Sequence, residues 1–231
     1  MLKNRNKDWM IKNGIYTIKA WSPTDASDLP DGWSKPEAFK LSAIVVDDGE
    51  HFLLYCDDED IDYMPASIRK RKLVVNSLNE FKSFYEAIPE GNTLLGYGTN
   101  DWDWPLIFHH YDNRNLPKIS KRDDLKYIDL NELWSIAEEE LEVPYIKRRH
   151  VDALAHMNNA HVKDMFYVNY LYSQVSMIRE WVRGRKGKVL DSVYSSTRFT
   201  SALAYKIYRK KGFKIRHPDT DKLVFIKHSL L

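Results

Sequence analysis

Residues 94–107 read LLGYGTNDWDWPLI and combine an apolar strand, a turn with two glycines and the start of a helix. This order commonly places one acid at the edge of a sheet, and the acid here is Asp103. Two tryptophans flank Asp103 and Pro105 follows, so we expect a fixed carboxylate with restricted access to water. The alternative is an ordinary acid at a helix N-terminus, where it satisfies free amides and opposes the helix dipole.

The composition is that of a globular protein, with 231 residues, 43% hydrophobic residues and a formal net charge of +2. This net charge by itself demands no nucleic-acid partner. Cys56 is the single cysteine in the sequence, which excludes an intramolecular disulfide and fits a reducing compartment. No apolar run reaches the roughly 18 residues of a membrane span, and the first residues lack a signal peptide's apolar region. We therefore expect a soluble intracellular protein, in the cytoplasm or the nucleoid, without a membrane partner.

Strand and helix patterns follow one another in an order typical of an α/β protein. Strands are predicted over residues 14–21, 39–46, 51–55 and 127–130. Helices are predicted over residues 77–88, 106–111, 131–137, 150–155, 164–181 and 195–211. Residues 1–13 look loose, and Ser77 with Glu80 forms a capping box. The order predicts a three-layer fold in which a mixed sheet, its first three strands antiparallel, has helices on both faces.

The stretch around Asp103 resembles a motif of the ribonuclease-H-like, four-carboxylate 3′–5′ exonucleases, above all the proofreading domain of family B DNA polymerases. That motif reads roughly Gly-aromatic-Asn-x-x-x-Phe-Asp-x-Pro-x-Leu. Residues 96–107 follow it, with Gly98 at the Asn position and Trp102 at the Phe position. The resemblance covers about residues 14–180. It implies a ribonuclease-H-like fold and places Asp103 on an acid that binds metal in the family.

The family's other two motifs have lost their acids here. The first-strand Asp-x-Glu aligns with residues 17–19, so Thr17 and Lys19 replace the two carboxylates. The late Tyr-x-x-x-Asp aligns with residues 170–174, so Tyr170 is kept and Gln174 replaces the acid. The resemblance therefore leaves Asp103 as the remnant of four metal-binding carboxylates.

Two-metal cleavage of a phosphodiester needs several carboxylates, because two divalent cations lie close together and Mg²⁺ requires oxygen ligands. One Asp, one Thr and one Gln do not supply that charge, and the Lys19 cation opposes a metal directly. We predict that no firm cofactor is bound, with Mg²⁺ or Mn²⁺ as the metal if the protein is active. Lys19 is expected to pair with Asp103 or to meet a phosphate, the alternative being a side chain that points to solvent.

Positive charge accumulates after residue 179. Residues 183–188 form a basic turn, and the predicted helix over 195–211 ends in Arg209-Lys210-Lys211, with aromatic residues nearby. Cations at a helix C-terminus are also expected from the helix dipole alone. The residues predicted to contact DNA are Lys19, Trp102, Tyr170, Gln174, Arg183, Arg185, Lys186, Arg209, Lys210 and Lys211.

The C-terminal part also resembles the segment that leads into the palm of family B polymerases. We predict an exonuclease-like domain over residues 1–190 and a basic, mainly helical segment over 191–231. Asp219-Thr220-Asp221 is interpreted as a turn, because its flanks do not fit a buried catalytic hairpin. The resemblance leaves two expectations open, a free-standing exonuclease-like protein or one piece of a split or truncated polymerase.

Three functions remain open from the sequence. The first is a protein that binds single-stranded or primer-end DNA without cleaving it efficiently. The second is an active 3′–5′ exonuclease that combines Asp103 with Asp101, Asp129 or Asp164. The third is an inactive module that docks on a polymerase subunit or another replication protein.

Overall fold

A six-stranded sheet forms the centre of the molecule, whose computed structural model describes residues 2–57, 73–113, 118–144 and 174–231. Its strands are β1 (Ile15–Trp21), β2 (Ala43–Asp47), β3 (Phe52–Cys56), β4 (Leu73–Ser77), β5 (Thr93–Gly96) and β6 (Lys126–Asp129). They lie in the order β4-β3-β2-β1-β5-β6. A separate antiparallel hairpin consists of β7 (Gly212–Arg216) and β8 (Leu223–Lys227).

The α-helices of the described residues are α1 (Leu2–Lys12), α2 (Phe81–Ala87), α3 (Trp104–Asn113), α4 (Leu133–Glu140), α5 (Gln174–Val182) and α6 (Lys186–Lys210). A single 3-10 turn, Leu78–Glu80, precedes α2, and the capping box between Ser77 and Glu80 is formed. The predicted helix over 77–88 is therefore present with a tighter first turn. Within these described ranges, none of the helices combines the length and apolarity needed to cross a membrane.

The predicted antiparallel meander is confirmed, because β1 pairs antiparallel with β2, and β2 with β3. On its other side β1 pairs in parallel with β5, and β5 with β6. The last β1 residue paired with β5 is Thr17, so β1 extends past the end of β5. Strand β4, which the sequence analysis did not predict, pairs in parallel with β3 at the sheet edge.

Helices cover both faces of the sheet, as predicted. Neighbouring residues of β1 point to opposite sides of the sheet and so contact different helices. Ile18 and Ala20 pack with side chains of α2 and α3 on one face. Ile15 packs with α6 on the other face, and Trp21 packs with the first turns of α6. The result is a mixed α/β three-layer structure of the ribonuclease-H-like kind.

Two helix predictions were wrong. Residues 2–12 form α1 rather than a loose end, because Trp9 and Met10 are buried against the core. Helix α6 begins at Lys186 rather than at residue 195, because Val189 and Val193 are buried against the sheet. The basic stretch of residues 183–188 is therefore part turn and part helix. The predicted domain boundary at residues 190 and 191 lies within α6, and it stays a prediction.

The segment after α6 ends in a hairpin that the sequence analysis did not predict. Strands β7 and β8 alternate buried and exposed residues, and Phe213, Ile215 and Ile226 are buried. Residues 219–221 lie between the two strands, which confirms the turn predicted there. The helices predicted over residues 150–155 and 164–173 lie outside the described residues.

Candidate functional site around Asp103

The turn after β5 positions Asp103 through two glycines. A Cβ on Gly96 would overlap the side chain of Thr99, which is buried directly beneath it. Gly98 has a φ of 68°, in the left-handed region that glycine adopts without strain. One π-helical turn, Thr99–Asp103, then leads into α3. Asp103 therefore lies at the start of a helix, as both interpretations of its sequence predicted.

Both carboxylate oxygens of Asp103 are engaged by β1. The Ala20 N–H donates to Oδ1 at 3.0 Å, beyond the last residue of β1 that pairs with β5. The Lys19 ammonium donates to Oδ2 at 3.0 Å. The Asp103 side chain is 0% exposed and that of Lys19 is 27% exposed. The expected Lys19–Asp103 pair is therefore formed, with its carboxylate buried and its ammonium at the rim.

Burial dominates the electrostatics of this pair. It raises the pKa of Asp103 to about 6, against the opposing effects of the Lys19 ammonium and of the Ala20 N–H. A charged carboxylate that is removed from water loses hydration, and one ion pair with one backbone bond offsets that loss only in part. Asp103 therefore titrates close to neutral pH rather than in the usual acidic range.

Helix α6 covers the side chain of Thr17, which the resemblance aligned with the first acid of the Asp-x-Glu motif. Thr17 is 0% exposed, and its hydroxyl lies 3.0 Å from the Ser201 hydroxyl. Ser201 in turn donates to Asp47 Oδ2 at 3.0 Å. Burial raises the pKa of Asp47, while hydrogen bonds from the Gly49 N–H and from Ser201 lower it. Sequence reasoning missed Asp47 and Ser201, since the first lay in a turn signal and the second among small helical residues.

Asp129, at the end of β6, has a structural role in the turn. Its carboxylate accepts hydrogen bonds from the N–H groups of Gly98 at 2.7 Å, Asn100 at 2.9 Å and Asn131 at 2.8 Å. It thereby holds the turn after β5 and caps the turn before α4. These contacts agree with the structural interpretation that the sequence favoured for Asp129.

The remaining predicted contact residues occupy three places. Trp102 packs edge to face on Phe39, with ring centroids 4.6 Å apart, at the margin of the core. Arg183 and Arg185 reach Glu180 at 3.4 and 3.2 Å. Lys186 lies 5.0 Å above the ring of Trp181. The charge of the basic stretch is therefore partly neutralised by Glu180 of the preceding helix, α5.

The other basic cluster lies at the end of α6, where Arg209, Lys210 and Lys211 are exposed. The sequence predicted Gly212 as the stop of this helix. Instead Lys211 takes the left-handed capping position, with a φ of 52°, and Gly212 begins β7. Tyr170 lies outside the described residues, as does the side chain of Gln174, and the contacts predicted for both stay predictions.

The side chains near Asp103 do not fit a two-metal centre. In the described ranges, no three His, Cys, Asp or Glu side chains lie close enough together to hold a metal ion. Both oxygens of Asp103 already accept hydrogen bonds, and one of the donors is a cation. A divalent metal at this carboxylate would first have to displace Lys19.

Comparison with solved structures identifies the same architecture elsewhere. The chain is similar to a family B DNA polymerase from the hyperthermophilic archaeon Pyrobaculum calidifontis, with a TM-score of 0.56 and 16% sequence identity. The two share a fold. The match covers 84% of this chain and 24% of the polymerase, so the chain corresponds to about a quarter of that enzyme. No protein-family model and no curated protein matches the chain.

Proposed function

We propose that this protein binds single-stranded or primer-end DNA on an exonuclease-type fold and does not cleave it efficiently. The observation that carries this proposal is the ion pair between Lys19 and the fully buried Asp103. In the family that the Asp103 motif resembles, the position of Lys19 carries a metal-binding Glu. The Lys19 ammonium therefore neutralises the carboxylate charge that a metal ion would need.

A simple Coulomb comparison supports the loss of metal binding. A divalent ion 4 Å from the Lys19 ammonium would be repelled by about 8 kcal/mol at an effective dielectric constant of 20. The single carboxylate of Asp103 cannot offset this repulsion while it also accepts the hydrogen bond from Ala20. Mg²⁺ further requires several oxygen ligands in octahedral geometry.

The closure of the Thr17 position also supports an inactive site. Thr17 is covered by Ser201 of α6, so the hydroxyl that replaces the family's first acid does not face solvent. Cleavage by two metals needs both the metals and the scissile phosphate at that strand. We therefore propose that neither Mg²⁺ nor Mn²⁺ is a resident cofactor.

Binding of DNA is proposed from the fold and from the position of the cations. Lys19 is the exposed end of the Asp103 pair and can reach a phosphate without leaving its carboxylate. The exposed Arg209 and Lys211 at the end of α6 provide further charge. Cations on a surface bind the phosphates of a DNA backbone whatever its base sequence. This kind of contact suits a protein that holds a strand end without reading its sequence.

The test is a paired assay of binding and shortening. A 5′-labelled single strand is incubated with Mg²⁺ or Mn²⁺, and both the bound fraction and the strand length are followed. We expect binding that weakens as salt rises, with no shortening in either metal. Lys19→Gln should lower the slope of log affinity against log salt by about 0.7, since one single-strand phosphate contact is lost.

Asp103→Ala is the control that separates this proposal from an active exonuclease. Shortening by the wild type that disappears in Asp103→Ala would overturn the proposal and point to a working metal site. The acids that could complete such a site are Asp101, which is exposed, Asp129, which is engaged by three amides, and Asp164, outside the described residues. If the protein neither binds nor shortens the strand, the result would favour a module that docks on a replication protein.

A further inference from the structure

The C-terminal hairpin has one buried and one exposed face. Phe213, Ile215 and Ile226 pack into the core cluster that also contains the last turns of α6. On the opposite face Phe225 is 43% exposed, and its cross-strand neighbour is Lys214. A single exposed apolar side chain is common on protein surfaces, so the surroundings of Phe225 decide whether it can bind a ligand.

The hairpin is fixed to the end of α6 by backbone contacts. The His228 N–H donates to the Lys211 carbonyl at 3.1 Å. The Cζ atom of Phe225 lies 2.6 Å from the position that a Cβ at residue 212 would occupy. The ring therefore packs against Gly212, whose lack of a side chain leaves space for it. Because the Phe225 ring is already packed against the backbone, little side-chain entropy is lost when a ligand binds to it.

Two open hollows are lined by residues of this helix end. The first is lined by Lys210, Lys211, Phe225, Lys227, His228 and Ser229. The second lies between α1 and α6 and is lined by Asp8, Trp9, Lys12, Asn13, Tyr205, Tyr208 and Arg209. Each hollow thus combines cations with an aromatic ring that is about two-fifths exposed, Phe225 in the first and Tyr208 in the second.

Most of the positive charge in these hollows is not neutralised by the protein. Within residues 2–57, 73–113, 118–144 and 174–231, no carboxylate lies within ion-pair distance of Lys12, Arg209, Lys211 or Lys227. Burial lowers the pKa of His228 and so favours its neutral form. Like charges held close together favour an anionic ligand.

We infer that Lys12, Tyr208, Arg209, Lys211, Phe225 and Lys227, here called the hairpin–helix surface, bind a single-stranded nucleic acid. The cations take phosphates, and the Phe225 ring stacks on a base. Exposed rings set among cations are the features that single-strand grooves use without reading sequence. An acidic peptide would use the cations but would gain nothing from stacking on Phe225.

This inference deepens the proposed function and rests on it. Ser201, which covers Thr17, lies nine residues before Lys210, the last residue of α6, which corresponds to about 14 Å along the helix. The hairpin–helix surface is therefore a second place of contact, distinct from the Lys19–Asp103 pair. A strand that touches both would run along α6.

The test measures the affinity of the full chain for a short labelled oligothymidine at several salt concentrations. Phe225→Leu keeps an apolar side chain against Gly212 but removes the aromatic face, and we expect binding about tenfold weaker. Phe225→Trp should bind at least as tightly as the wild type. The double variant Lys211→Glu, Lys227→Glu should reduce the magnitude of the salt slope by about 1.4, the value for two single-strand phosphate contacts.

Matched controls come from the same hairpin. Leu223→Ala removes an apolar side chain that is more exposed than Phe225, 54% against 43%, at the other end of β8, and Lys222→Glu reverses a charge in the hairpin turn. Neither should change the affinity by as much as Phe225→Leu. Circular dichroism and thermal unfolding of each variant show whether the fold is kept.

Three outcomes would overturn the inference. A wild-type chain that does not bind the strand at all removes both this inference and the proposed function. Normal binding by Phe225→Leu and by the double lysine variant removes the inference alone. A loss of binding on charge reversal with no effect of Phe225→Leu would indicate an anion site without base stacking, as for an acidic peptide or a lipid headgroup.

Discussion

Asp103 and Asp129 follow neighbouring parallel strands and are both buried, yet their carboxylates are stabilised in different ways. Asp129 accepts three backbone N–H groups from the turns that it organises. Asp103 accepts one backbone N–H and one lysine ammonium. The first acid is held by the main chain alone, whereas the second also depends on a partly exposed lysine side chain.

The comparison shows how a buried carboxylate can be stabilised by a lysine ammonium from another element of the fold. A buried carboxylate without metal needs another positive partner, because its desolvation is costly. Lys19 supplies that partner from β1, and Ala20 uses the second oxygen. On the proposed function, Asp103 is therefore kept as a structural residue at the junction of β1 and β5.

The largest effect is expected for Asp129→Ala. This change leaves three partly buried N–H groups without their acceptor, and hydrogen bonds to charged groups contribute about 1.5–3 kcal/mol each, not fully additively. We expect the free energy of unfolding to fall by about 4 kcal/mol, measured by urea denaturation.

Glu132→Ala is the matched control, because Glu132 contacts Asn100 in the same turn through an exposed hydrogen bond. We expect a change within about 0.5 kcal/mol for this surface substitution. Equal effects of Asp129→Ala and Glu132→Ala would contradict the role assigned to the three amides.

A smaller effect is expected for Lys19→Met at pH 8. This change leaves the Asp103 carboxylate with one hydrogen bond, and we expect a loss of about 2 kcal/mol. That value lies below the range for fully buried pairs because the Lys19 side chain is partly exposed. Because the pair is charged only above the Asp103 pKa of about 6, the loss should nearly vanish at pH 4. A loss that is the same at both pH values would mean that Lys19 acts through packing alone.

The third prediction concerns the pH dependence of stability. The folded-state pKa of Asp103, about 6, lies above the ordinary value of 3.8, so the folded chain binds more protons than the unfolded chain between these values. Ionisation in this window therefore lowers the free energy of unfolding as pH rises. Relative to Asp103→Asn, the wild type should become less stable from pH 4 to pH 7.

Urea denaturation of both proteins across this range checks the sign. A wild type that gains stability over Asp103→Asn as pH rises would show that the Lys19 pair outweighs burial.

Sequence patterns predicted the parts of the fold that carry strong local signals. The antiparallel meander followed from alternating strands around Asp47-Asp48-Gly49, and the capping box at Ser77 was visible in four residues. By contrast, α1 is polar along most of its length, so its two buried residues, Trp9 and Met10, gave no periodic pattern. The hairpin could have been predicted from the apolar and polar residues that alternate on both sides of residues 219–221. The sequence analysis instead predicted a mainly helical segment there.

The sequence by itself determined the turn that positions Asp103, because its glycines, proline and flanking tryptophans act within a few residues of one another. It also favoured an alignment of Lys19 with the Glu of the resembled Asp-x-Glu motif. Only the tertiary structure decided that Lys19 pairs with Asp103, that Ser201 closes Thr17, and that Phe225 joins the end of α6. These contacts join residues 84, 184 and 14 positions apart, and such distant pairings depend on packing that no local pattern encodes.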